Sequence, residues 1–305
     1  MTEKEGCSKR QLGLIDNAIA QVDKAFKQSN QKSFGTRHTY KASARRFAAY
    51  VASVYSIQNM RNTRNEHIQA YVNYLKENDR ETGYIKTEMS GIRHFLALID
   101  CKNEIYEKND RFGIPKRESQ ALPGMSQDEY KIARELATQK FGVSGKITVD
   151  LQYYFGLRIN ETQAVHVKRF IDADKTGVLH IDGSDGTKGG RPRDIKVETV
   201  EQKEVLKEVL NYIATTGKKY TDRLLTGREK GAVHKAKHAY ERMYAKNADV
   251  LNNKSSHDLR RAFAQNLYDR TPGTDKERMR VVCMALGHSP NRSDITARYV
   301  ARRDK

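Results

Sequence analysis

The feature that most constrains the fold is a single change of period. Apolar residues recur at helical spacing through the N-terminal third: Leu12, Ile15, Ile19, Val22 and Phe26, then Tyr40, Ala44, Phe47, Val51 and Val54. The pattern continues with Ile68, Tyr71, Val72 and Leu75, then Ile85, Met89, Ile92, Phe95 and Leu98. Helices are expected over 8–28 with Ser8 as N-cap, 36–55, a third capped by Asn65, 84–99, and a short one near 103–109. The period then switches. GVLHID at 177–182 and RDIKV at 193–197 read as short strands, and Gly183, Gly186, Gly189 and Gly190 lie between them. Helical spacing resumes at about 200–215, 228–247, 256–270, 275–286 and 293–303.

A chain of this kind is mainly α, with one small antiparallel hairpin inside its C-terminal half. The boundaries follow from the same reading. Residues 1–30 hold a first helix, 31–109 a helical domain, 110–125 a linker with two prolines and two glycines, and 126–305 a mixed α/β domain. The second domain opens on SQDE at 126–129, a capping box.

Net charge decides the class of partner. At +18, the chain attracts polyanions, of which nucleic acid is the usual one; a basic proteome or a membrane surface is the plainer alternative. No apolar run approaches the ~18 residues of a spanning helix, and the N-terminus lacks a signal-peptide core, so a cytosolic protein is expected. Cys7, Cys101 and Cys283 form no CxxC and no disulfide framework.

Four stretches carry chemistry: GLRINE at 156–161, TKGGRPR at 187–193, HDLRRAF at 257–263 and LGHSPNRSDITARYV at 286–300. Singly, each reads as ordinary structure. Arg158 and Glu161 fit a helix start, Lys188 a solvated turn with Lys196 as a rival, and His257 with Arg260 a surface pair. Leu286–His288 fits a helix stop, and Tyr299 is one of 16 tyrosines. Their joint order is far less ordinary: Arg158, Lys188, His257, Arg260, His288, Tyr299.

In that order the chain resembles the tyrosine recombinase (phage integrase) family, over roughly residues 126–300. The resemblance implies a recombinase catalytic core behind a helical core-binding domain. It also implies site-specific cutting and rejoining of duplex DNA through a covalent 3′-phosphotyrosine on Tyr299, for integration, excision or resolution of mobile DNA. The chemistry suits the residue types. A phenolic oxygen can attack a phosphodiester. Arginine forks can grip its nonbridging oxygens. Lys188 can protonate the leaving 5′ oxygen, His257 can handle the tyrosine proton, and His288 can hydrogen-bond the phosphate.

No cofactor and no metal are implied, because the cations are built in. The implied partners are double-stranded DNA at a specific site and sister protomers in a synaptic tetramer, with accessory DNA-bending proteins possible and no membrane. The implied location is the bacterial nucleoid. A type IB topoisomerase, which relaxes DNA with a similar residue set, is the alternative, and a catalytically silent DNA-binding relative is a third. Two departures stand out: the inserted Asn291-Arg292 before the tyrosine, and a tail of six residues after it. The short tail puts in doubt the usual docking of that segment on a neighbour. Residues 1–30 are too few for an arm-binding domain, so either a minimal two-domain enzyme or a chain lacking that domain is expected.

Overall fold

A computed structural model of the chain describes residues 8–31, 33–116, 121–289 and 296–301. It divides into two compact units, 1–118 and 119–305. The division falls inside the segment read as a linker, but the start of that segment is not linker. A 3-10 turn at Asp110–Phe112 and the side chains of Phe112 and Ile114 belong to the core of the first unit.

The first unit is all helix. α1 spans Lys9–Lys27, α2 Phe34–Tyr55, α3 Asn65–Glu77 and α4 Thr82–Leu98. Ser8 and Gln11 exchange side-chain and backbone bonds in a capping box that starts α1. Arg64, not Asn65, occupies the N-cap of α3; Asn65 is its first residue and instead bonds the backbone of Glu104 and Tyr106. Nor does a helix form near 103–109. That segment is irregular, held by Asn65, by Asn103 on the Thr63 carbonyl and by Arg93 on the Tyr106 carbonyl. The apolar stripes meet in one core around Phe26, Phe47, Tyr71 and Phe95.

The second unit begins with α5 (Gln127–Phe141), whose Ser126–Glu129 capping box forms as its sequence indicates. Then come α6 (Val143–Phe155), α7 (Ile159–Ala164) and α8 (Val167–Thr176). β1 (Val178–Ile181) and β2 (Arg193–Lys196) pair antiparallel, Val178 opposite Lys196 and Ile181 opposite Arg193. α9 (Val200–Thr216), α10 (Ala232–Lys246), α11 (Ser256–Arg270) and α12 (Asp275–Ala285) follow. Of the expected helix over 293–303, residues 296–301 are described: 296–299 form a helical turn and 300–301 leave it, while the rest, with Asn291 and Arg292, lies outside the described residues. Buried Phe155, Leu157, Leu179, Ile195, Phe263 and Leu286 belong to one core that joins the hairpin to α6, α11 and the end of α12. Burying each such side chain contributes about 1.5–3 kcal/mol, and the site stands at the edge of this core.

Candidate active site

The site is built from chain turns around one buried carboxylate. α6 ends at Gly156, whose left-handed backbone (φ +63°) reverses the chain. A Cβ there would lie 2.2 Å from the Phe263 ring, so both the turn and the close approach of α11 require glycine. The reversal makes Arg158 the N-cap of α7. The Arg158 backbone N–H donates to Glu161 Oε2 at 2.8 Å, and its Nη1 donates to Oε1 at 2.7 Å. Glu161 is fully buried and also receives both Nη groups of Arg193, at 3.1 and 2.5 Å. Arg260 Nη1 approaches it to 3.8 Å. Burial opposes ionisation of Glu161, but the guanidiniums of Arg193, Arg260 and Arg158 prevail and hold its carboxyl down at about 2.

Arg260 rises from α11 on the turn after His257 and has no solvent exposure. Its Nη1 donates to the Gly156 carbonyl and its Nη2 to the Leu286 carbonyl, so the GLR and LGH turns are fastened to one guanidinium. Burial, followed by the Arg158 charge, pushes Arg260 down to about 9. Its Nε–H and that of Arg193 are buried with no hydrogen-bond partner among the described residues. Gly287, at φ +67°, ends α12, and a Cβ there would meet Arg193 Cδ at 3.1 Å. The next backbone N–H, that of His288, donates to the Cys283 carbonyl at 2.8 Å.

Tyr299 sits over this cluster, partly buried. Its ring centroid is 5.1 Å from that of His257 and 5.3 Å from that of His288, and Arg260 Cζ lies 5.9 Å from it. Desolvation of the imidazole, then the charges of Arg261 and Arg260, push His257 down to about 4 even though the residue keeps an open face. Burial, then Arg260 and Arg158, push His288 to about 3. Both are therefore neutral at pH 7 and can accept or share a proton.

Five of the six residues singled out in the sequence, Arg158, His257, Arg260, His288 and Tyr299, thus converge. Lys188 does not join them here. It is exposed on the 3-10 turn Lys188–Gly190, without a hydrogen bond or ion pair among the described residues. Its loop is nonetheless anchored. Buried Asp185 accepts from Arg169 Nε at 2.8 Å and lies 2.9 Å from His166 Nδ1, and Asn160 bonds the Gly186 carbonyl. Lys196, the rival lysine, is on the outer face of β2 and pairs with Glu198 at 3.7 Å.

Arg193 was not among the expected site residues. The signal was present in RDIKV. Alternation along a strand puts Arg193 on the same inward face as Ile195, and a buried arginine requires an anion.

A small hairpin flanked by helices is the fold of integrase-type catalytic domains. The integrase family model matches residues 120–266, a span that holds Arg158, Lys188, His257 and Arg260 and stops short of His288 and Tyr299. Over that span the chain is similar to the tyrosine recombinases, and the match supports a site-specific recombinase. The tyrosine recombinase XerD of Ralstonia nicotianae is 28% identical over 228 residues, 74% of this chain and 69% of that protein. Two solved structures share the fold. A lambda integrase tetramer bound to a Holliday junction has a TM-score of 0.65 at 14% identity, covering 94% of this chain and 79% of that one. The XerH recombinase bound to its difH substrate, in a pre-cleavage complex, has a TM-score of 0.63 at 16% identity, covering 99% and 95%.

Proposed function

We propose that Tyr299 attacks a DNA phosphodiester, giving a covalent 3′-phosphotyrosine and a free 5′ hydroxyl, and that reversal on a partner strand completes recombination. The observation that carries this reading is the surplus of buried positive charge beneath the tyrosine: among the described residues three arginines share one carboxylate, and two of their N–H donors have no partner. A phosphate oxygen would meet both needs. Arg158, 24% exposed, is the arm that reaches out to it, while Arg260 acts from below through its charge and its Nε–H. His257, neutral and beside the ring, takes the phenolic proton; His288 donates to the phosphate. Lys188 protonates the departing 5′ oxygen once its loop meets DNA.

The substrate in this reading is a specific duplex site, and the assembly is a tetramer on paired sites, as the junction-bound lambda integrase is. The protein partners beyond sister protomers would be DNA-bending proteins.

A 5′-phosphorothiolate duplex tests the acid. Its sulfur leaves without a proton, so Lys188→Ala regains cleavage while Arg158→Ala does not. Rescue of Lys196→Ala in its place moves the role to that lysine. The same preparations on a plasmid without target sites separate recombinase from topoisomerase, since relaxation there favours the latter.

A further inference from the structure

Thr296 is fully buried three residues before Tyr299, and among the described residues its hydroxyl joins two partners. Oγ1 lies 2.9 Å from His288 Nδ1 and 2.9 Å from Cys283 Sγ, and Cys283 is itself wholly buried. Its carbonyl accepts the Tyr299 backbone N–H at 2.8 Å. One residue therefore touches both the turn that carries the tyrosine and the ring that stands against it.

The hydroxyl has a single hydrogen, and the two described partners favour one place for it. A neutral imidazole offers one N–H and one lone-pair nitrogen, the thiol is a weak donor and a weaker acceptor, and the hydroxyl can give once and receive twice. If His288 Nδ1 carried the hydrogen, it would donate to Oγ1, and the hydroxyl proton would be left with only the sulfur. If Nδ1 is bare, Cys283 S–H donates to Oγ1, Oγ1–H donates to Nδ1, and every group is matched, with the strongest acceptor receiving the strongest donor. The second arrangement leaves the other ring nitrogen as an N–H. Burial and the arginine charges keep His288 unprotonated, so one of its two ring nitrogens is free of hydrogen.

We infer that Thr296 is a positioning residue that holds His288 in the tautomer with hydrogen on Nε2, so that this nitrogen faces the site as a donor to a nonbridging phosphate oxygen. The catalytic half of this inference rests on the recombinase reading above; the tautomer half does not. Removing the hydroxyl frees Nδ1 to compete for the hydrogen, and the ring then meets the phosphate with a lone pair for part of the time.

The test uses full-length protein with 15N-labelled histidine, in which long-range proton–nitrogen spectra at pH 7 identify the tautomer; His288→Gln assigns the signal. Wild type and Thr296→Ser should show hydrogen on Nε2, and Thr296→Val a mixed or Nδ1–H pattern, with the backbone spectrum preserved. On a nicked duplex, Thr296→Val should cleave about tenfold to a hundredfold more slowly at unchanged DNA affinity, less than the loss of a whole oxyanion donor. Thr296→Ser should cleave close to the wild-type rate. Hydrogen on Nδ1 in the wild type, or an unchanged Nε2–H signal in Thr296→Val, overturns the assignment. So does a Thr296→Val protein with the altered tautomer and undiminished cleavage. Wild type with the expected tautomer that cuts no DNA overturns the recombinase reading and leaves the hydrogen-bonded chain standing.

Discussion

Among the described residues each unit of this protein buries one glutamate against arginine, and the two are handled in opposite ways. In the helical unit Glu88 meets one arginine, Arg46, at 2.5 and 3.2 Å, together with the hydroxyls of Ser43 at 2.8 Å and Tyr71 at 2.9 Å. One negative charge meets one positive charge, and the carboxylate's remaining acceptor capacity is filled by hydroxyls. In the second unit Glu161 meets Arg158, Arg193 and Arg260, and among the described residues no other carboxylate pairs with these arginines. A balanced buried pair is a fastening between helices. An unbalanced one holds positive charge in a low-dielectric place with donors left over, a costly arrangement for folding alone. On the proposed function, the contrast separates a structural ion pair from a site that takes an anion.

The largest expected effect is on stability. Glu161→Gln strands three guanidiniums together and should cost about 3–5 kcal/mol, as breaking a buried pair does. Glu88→Gln leaves one half-exposed arginine and should cost less, about 1–3 kcal/mol. Inorganic sulfate should restore part of the first loss and none of the second, read as a shift in Tm with added salt matched for ionic strength. Equal response of the two variants would erase the distinction.

Next comes catalysis. Arg158→Lys keeps the charge but loses the fork, so cleavage should fall by about 10²–10³, the size of one lost transition-state donor. Arg46→Lys, the corresponding change in the helical unit, should leave cleavage within about threefold. Timed cleavage of a nicked duplex by both variants checks this, and a mild Arg158→Lys would place that arginine with the fastenings.

The smallest effect is in acid. His257 and His288, held at about 4 and about 3, bind protons more readily in the unfolded chain, near 6.5. Their contribution is whole above 6.5 and is lost as the pH falls toward 4. Burial lowers His67 and His94 of the helical unit as well, but without a cluster of arginines around them. A His257→Gln, His288→Asn variant should lose about 2–4 °C less in Tm than wild type between pH 6.5 and 4. An unchanged slope would assign the acid sensitivity to the helical unit.

Much of this contrast was legible in the residues, but not all of it. Helical spacing and the period switch at 177–197 located most helices and both strands, because a buried stripe must repeat with the backbone. The short α8 went unread, and α7 was legible only as a helix start at Arg158 and Glu161: ten and six residues are too few for a period to register. The failed helix near 103–109 lost to long-range bonds from Asn65, Asn103 and Arg93, which spacing does not reveal. In the site, the order of Arg158, His257, Arg260, His288 and Tyr299 predicted their convergence. The role of Arg193 needed strand parity to be joined with charge. Thr296 carried no signal of its own, since a threonine three residues before a tyrosine takes its meaning only from the thiol and imidazole folded against it.

The central claim is that the surplus charge around Glu161 serves a phosphodiester attacked by Tyr299. The most direct measurement traps wild type and Tyr299→Phe on a nicked duplex carrying DNA that flanks the gene, then maps the DNA-linked peptide by mass spectrometry. The account predicts one wild-type adduct, with the nucleotide on Tyr299, and none from Tyr299→Phe at matched DNA binding. An adduct on another residue, or one that survives in Tyr299→Phe, would contradict it.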